Sequence, residues 1–192
     1  LSVDNVSNDD LVIESTDIVV IAGKRRSGKT TLAKGITSSI ESEFLKNGVK
    51  IVTIDPLMEL NGIYIRFGDR VTSNKILSEC FKTKNIFLRI DEADGFFPNR
   101  VTLSKYENEF IHIGRHWGLG GMFMTRRLAR LHTDLVSQAN KIFIFKLWNK
   151  ADLDYLRGSD LGDFIPIVTQ LKPYHFLGID LDNNKYTVYN PI

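Results

Sequence analysis

Two groups of residues in this sequence could do chemistry together. The first is Gly23-Lys24-Arg25-Arg26-Ser27-Gly28-Lys29-Thr30, which fits G-x-x-x-x-G-K-[ST]. The two glycines free the backbone to curl so that several N–H groups converge on one anion. Lys29 then reaches the β- and γ-phosphates of a nucleotide, and the Thr30 hydroxyl helps to hold Mg²⁺. The phosphate cradle spans Gly23 to Thr31, with Lys24, Arg25, Arg26 and Ser27 inside it. The second group is Asp91-Glu92, which ends the apolar run Ile86-Phe87-Leu88-Arg89-Ile90. Asp91 is the candidate metal carboxylate, and Glu92 is the candidate general base that polarises an attacking water. Phosphate transfer to a second substrate needs no water-activating glutamate, so Glu92 favours hydrolysis.

For these groups to meet, both must sit at strand ends. The run Asp17-Ile18-Val19-Val20-Ile21-Ala22 reads as a buried strand feeding the glycine loop. Leu32, Ile36, Ile40 and Phe44 recur every four residues, one apolar helix face against a sheet. Further strands are expected at 49–54, 63–67, 85–90, 122–124 and 141–146. Helices are expected at about 74–82, 104–116 and 134–139, and over much of 150–171. Two segments, 174–179 and 185–189, flank Asp182-Asn183-Asn184 and read as a hairpin. Alternating strands and helices predict an α/β fold: a mostly parallel central sheet flanked by helices, with the hairpin at one edge. The domain reading is a polar lead-in at 1–16 and a single domain at 17–192.

Composition bounds the rest. The chain has 192 residues, one core's worth, with 43% hydrophobic and 25% charged residues. No apolar run is long enough for a transmembrane segment, and the acidic, polar first ten residues do not look like a secretory leader. The single cysteine, Cys80, lies in the pattern Ile76, Leu77, Cys80, Phe81 and reads as a small core residue. These features predict a cytoplasmic protein. His112 and His116 lie one helical turn apart, but no third ligand joins them at a convincing spacing. Net charge is only +2, yet basic residues cluster between 110 and 150. That cluster reads either as a solvated face or as a surface for the phosphates of nucleotide or nucleic acid. Trp117 is expected to pack in the core. Arg89 is expected on a sheet face among polar groups.

Several stretches resemble the FtsK–HerA superfamily of DNA-pumping P-loop ATPases, and within it the short viral genome-packaging ATPases. They are the loop at 23–30, Asp55-Pro56 with Glu59, and the Asp91-Glu92 pair. Most distinctive is the order Gly114-Arg115-His116-Trp117-Gly118, Thr125-Arg126-Arg127, Ser137-Gln138-Ala139-Asn140 and the strand after it. The resemblance implies a RecA-like fold, ATP and Mg²⁺ as cofactors, and a homo-oligomeric ring, a pentamer or hexamer, acting on double-stranded DNA without sequence readout. It further implies docking on a capsid vertex or a membrane-associated viral protein. In such rings an arginine of one subunit reaches the neighbour's ATP; Arg115, Arg126 and Arg127 are candidates, with Arg115 the best match. The sequence departs from the family where Arg126 takes the place of the usual sensor glutamine and Leu128 that of a proline. The alternatives are a P-loop kinase for a small molecule or nucleotide, and a nucleotide-gated virion assembly factor with little turnover.

Overall fold

The computed structural model describes residues 12–191; most of the expected lead-in lies outside these. The elements run β1 (Ile18–Ala22), α1 (Lys29–Lys46), β2 (Lys50–Ile54), α2 (Arg70–Thr83), β3 (Ile86–Ile90), α3 (Lys105–Ile113), β4 (Leu119–Thr125), α4 (Thr133–Ser137), β5 (Lys141–Phe145), α5 (Lys150–Arg157), α6 (Ile165–Gln170), β6 (Phe176–Asp180) and β7 (Lys185–Tyr189). The seven strands form one sheet in the order β2-β3-β4-β1-β5-β6-β7. The first five strands are mutually parallel, and β6 and β7 join antiparallel as the edge hairpin. This is the α/β arrangement the sequence patterning implies.

Side chains alternate across the sheet, so each strand feeds two cores. On one face Val19, Ile21, Phe87, Met122, Met124 and Phe143 pack against Leu32, Ile36, Ile40 and Phe44 of α1. On the other, Val20, Leu88, Ile90, Phe123 and Ile144 meet residues of the remaining helices, among them Leu77, Phe110, Leu135, Leu156 and Val168. The α1 face is thus covered by the single helix that grows out of the glycine loop. That helix is fixed along 18 residues, which holds its N-terminus at the carboxyl end of β1.

Several local expectations need correction. The segment 63–67 forms no strand; only Ile63 bridges to Ile54. Helix α2 starts at Arg70, before the apolar stripe, because Asp69 caps it by accepting from the Thr72 N–H at 3.0 Å. Helix α3 ends at Ile113 and gives way to a 3-10 turn at Gly114–Trp117. Strand β4 includes Gly120 and Gly121 instead of being framed by them. A Cβ on Gly120 would lie 2.5 Å from the Ser15 carbonyl, so the strand interior admits no side chain there. Trp117 is not core: it is 40% exposed, edge-on to Phe81, with the Lys84 ammonium 4.8 Å above its ring.

Other readings meet the structure directly. Cys80 is buried in the core, and burial pushes its thiol up to about 11. Arg89 donates to Thr53 Oγ1, Thr37 Oγ1 and the Leu60 carbonyl at 3.0–3.1 Å, tying β3 to β2, α1 and the following loop. His112 faces Asp134 at 3.7 Å. Among the described residues no helix is long and apolar enough to cross a membrane.

Candidate functional site

Strand β1 stops at Ala22, and the chain turns through Gly23–Gly28 into α1 with its backbone folded tightly. Gly28 has φ 109°, a left-handed value that penalises any L side chain, and a Cβ there would meet the Phe145 ring at 3.2 Å. A Cβ on Gly23 would lie 2.7 Å from Phe145 Cβ. Both glycines are therefore obligatory for the path of the loop. Lys24, Arg25 and Arg26 are exposed on its outer side, whereas Ser27 and Lys29 are buried. The Ser27 hydroxyl is buried without a hydrogen-bond partner. Such an orphan is costly unless something else bonds it, and it fits a loop shaped to receive an anion. Thr30 and Thr31 occupy the first turn of α1, whose free N–H groups add the positive end of the helix dipole.

Lys29 connects the two chemical groups. Its ammonium donates to the Lys24 carbonyl at 3.1 Å. Burial pulls its pKa below the usual lysine range, and the charges of Glu92 and then Asp91 oppose that fall. The acid pair at the end of β3 therefore acts on the lysine in the phosphate loop, as the spacing requires. Two strands separate these groups in neither direction: β4 alone lies between β3 and β1.

The acid pair has its own local geometry. Asp91 is buried, accepts from the Glu92 N–H at 3.0 Å, and is pushed above its ordinary value by that burial. Glu92 adopts φ 49°, ψ 46°, left-handed backbone for a non-glycine residue. This costs about 1–3 kcal/mol and is typical of positions where a side chain must be aimed. Burial raises the Glu92 pKa; the positive charge of Arg126 counters it, and Asp91 and Asp94 reinforce it. Thr30 and Asp91 offer a hydroxyl and a carboxylate, hard oxygen donors of the kind Mg²⁺ takes.

Arg126 forms an ion pair with Glu92 through its Nε. The residue replacing the family's sensor glutamine thus holds the candidate base directly. Two neighbours make that contact possible. Thr125 at the end of β4 donates from Oγ1 to Asp94 at 2.9 Å and accepts from the Arg127 N–H, while its carbonyl accepts from the Gly23 N–H at 3.1 Å. The end of β4 is thereby tied both to the phosphate loop and to the segment after the acid pair. Asp94 carries no signal in the sequence beyond its nearness to Glu92.

The other arginines separate. Arg127 is committed to structure: it meets Asp152 at 3.2 Å and donates to Asn149 Oδ1 at 2.8 Å, fastening the start of α5. Arg115 does not join the site within one chain. It is exposed in the 3-10 turn before β4, at the opposite end of the sheet, where it lines a cavity of about 750 Å³ with Asp17, Asn140 and Asp182. The seven residues of β4 put roughly 20 Å between that turn and the phosphate loop. Asn140 of the Ser137-Gln138-Ala139-Asn140 stretch is a staple: its Oδ1 accepts from the Ile18 N–H at 2.8 Å and its amide donates to Asp182.

Comparison with known proteins agrees with this fold. The structure is similar to the genome packaging NTPase B204 from Sulfolobus turreted icosahedral virus 2 in complex with sulfate, with TM-score 0.83, 23% identity, and coverage of 93% of this chain and 98% of that one. The AMPPCP complex of the same protein gives TM-score 0.81 and 24% identity over 94% of this chain and 100% of that one. The N-terminal domain of zonular occludens toxin from Neisseria meningitidis gives TM-score 0.56 and 16% identity over 92% and 95% of the two chains. These likenesses establish the P-loop NTPase fold. No curated protein matches the chain. A family model described as Zonular occludens toxin (Zot) matches residues 17–148, from the first residue before β1 to just beyond β5. Because that match takes in the phosphate loop, the acid pair and the strand between them, the chain belongs to the Zot family, a P-loop ATPase domain of the FtsK–HerA type.

Proposed function

We propose that the chain is an ATPase that pumps double-stranded DNA, most simply a viral genome into its capsid, as a homo-oligomeric ring of five or six subunits. The observation that carries the reading is that the sheet order brings the acid pair at the end of β3 within electrostatic reach of Lys29 in the glycine loop, with β4 alone between their strands. The similarity in fold to a genome packaging NTPase supports the biological setting, and the basic outer side of the loop supports contact with phosphate backbones. Such a motor works in the host cytoplasm at a capsid vertex or a membrane-associated viral protein. The domain is taken as 17–192.

In this reading the loop N–H groups and the N-terminus of α1 bind the phosphates, and Lys29 neutralises charge on the β- and γ-phosphates. Thr30 and Asp91 would hold Mg²⁺, which when bound draws electron density from the phosphate oxygens. Glu92 accepts a proton from the attacking water. The Arg126 charge opposes the rise that burial imposes on the Glu92 pKa, and the ion pair must open for the carboxylate to reach water. Arg115 acts, if on any nucleotide, on that of the adjoining subunit, since its own loop lies at the other end of the sheet.

The pairing of Arg126 with Glu92 yields a pH-dependent expectation. Removing the arginine removes a charge that lowers the Glu92 pKa, so the pKa rises further. The base must be ionised to work, so the acidic limb of kcat/KM against pH should move to higher pH in Arg126→Ala. Activity should fall more at pH 6 than at pH 8. A profile that rises uniformly with no displaced limb would show Arg126 to be a restraint only. The same ion pair, by engaging the base, also favours the second reading, a nucleotide-gated assembly factor with little turnover.

ATP turnover measured with and without duplex DNA separates the two. A motor should be stimulated by DNA, with an effect that weakens steeply as salt rises. Absent stimulation in a verified oligomer would exclude translocation and leave the gated factor.

A further inference from the structure

We propose that the cleft beside the first turn of α1 receives the nucleobase and does not read its edges, so that the chain takes ATP and GTP alike. This rests on the phosphate-loop reading above. The direction of the nucleotide follows from the sheet order. Asp91 and Glu92 lie on the β3–β4 side of β1, so the terminal phosphate points that way. The other end of the molecule must leave over β5 and β6. A cleft of about 210 Å³ opens there, lined by Gly28, Thr31, Phe145, Tyr174, Phe176 and Pro191. This is smaller than the space a whole ligand occupies, and suits one ring system. It touches the phosphate loop: the Phe145 and Tyr174 rings lie 3.2 and 3.7 Å from where a Cβ on Gly28 would stand.

Tyr174 supplies the stacking surface. It is 58% exposed and its backbone is left-handed, φ 64°. The turn that holds it is closed by the His175 N–H donating to the Lys172 carbonyl at 3.2 Å. An exposed aromatic kept in an unfavourable conformation beside a binding loop is what a ligand clamp requires. The rival aromatic near the loop, Trp148, already carries the Lys24 ammonium 4.0 Å over its ring. Among the described side chains lining the cleft, only Thr31 and Tyr174 are polar, and both bear hydroxyls. A hydroxyl rotates to donate or accept as needed. It therefore does not separate the amino group at position 6 of adenine from the carbonyl of guanine, whereas a fixed donor–acceptor pair would.

The test is equilibrium binding, with Mg²⁺, of non-hydrolysable ATP and GTP analogues and of inorganic tripolyphosphate. The two nucleotides should bind within about fivefold of each other and at least tenfold more tightly than tripolyphosphate. Tyr174→Ala should weaken both nucleotides by on the order of tenfold, leaving tripolyphosphate unchanged, and Tyr174→Phe should restore them. A preference for one purine above a hundredfold, or nucleotide affinities that ignore Tyr174→Ala, would overturn the proposal. Lys29→Ala distinguishes the underlying reading: weakening of all three ligands upholds it, and no effect on any of them would bring down both.

Discussion

Glu92→Gln is expected to lower the kcat for ATP hydrolysis by about 10²–10⁴-fold, the range lost with a positioned general base, while nucleotide affinity stays equal or rises. The amide keeps the size of the side chain but cannot accept the water's proton. Affinity is preserved because the substitution removes a negative charge beside a triphosphate. The fold should tolerate it, since burial already works against the ionised carboxylate. Steady-state turnover and analogue binding, measured on the same preparation, check the split between kcat and affinity. Equal turnover by the variant and the parent chain would mean that water is activated elsewhere, or that the chain only binds nucleotide.

Lys29→Ala should act at the other end of the same reaction, lowering kcat/KM by on the order of 10³-fold with affinity and turnover both impaired. Loss of one charged donor to a transferring phosphate is worth about 10²–10³ in rate, and the same ammonium helps to bind the ground state. The substitution should not unfold the protein. Lys29 is buried with a pKa below the usual lysine range, so its charged form gains little from the folded state without a nucleotide. Thermal unfolding without nucleotide should show similar midpoints for variant and parent. Added ATP analogue should raise the midpoint of the parent alone. A parent-like nucleotide shift in the variant would place the triphosphate outside the loop.

The parts of this account that the sequence made legible share a physical reason. Phosphate loops constrain backbone path, and the backbone constrains residue type: Gly23 and Gly28 have no room for a side chain. The strand before the loop and the helix after it were readable because their apolar residues follow the periods of two and nearly four that the two cores demand. Strand β4 extends beyond what its composition indicates, because glycine in a strand usually marks its end, whereas Gly120 and Gly121 are there to let neighbouring backbone approach. The segment 63–67 has strand-like composition, but beyond Ile63 it finds no partner strand among the described residues.

Within the site, residue types announced Lys29, Asp91 and Glu92, whereas the pairings did not announce themselves. The Arg126–Glu92 ion pair spans 34 positions and depends on β4 lying next to β3. Asp94 gains its role only because Thr125 ends the adjacent strand. Arg115 matched a motif, yet the sheet carries it to the far end of its own subunit. Spacing along a chain indicates which groups could share a site; the order of strands decides which of them do.

A structure of the chain with Mg²⁺ and a non-hydrolysable ATP analogue tests the central claim most directly. The account predicts the terminal phosphate between the Lys29 ammonium and the Glu92 carboxylate, with the metal beside Thr30 and Asp91. A nucleotide lodged instead in the larger cavity at the opposite end of the sheet, near Arg115 and Asp17, would contradict it.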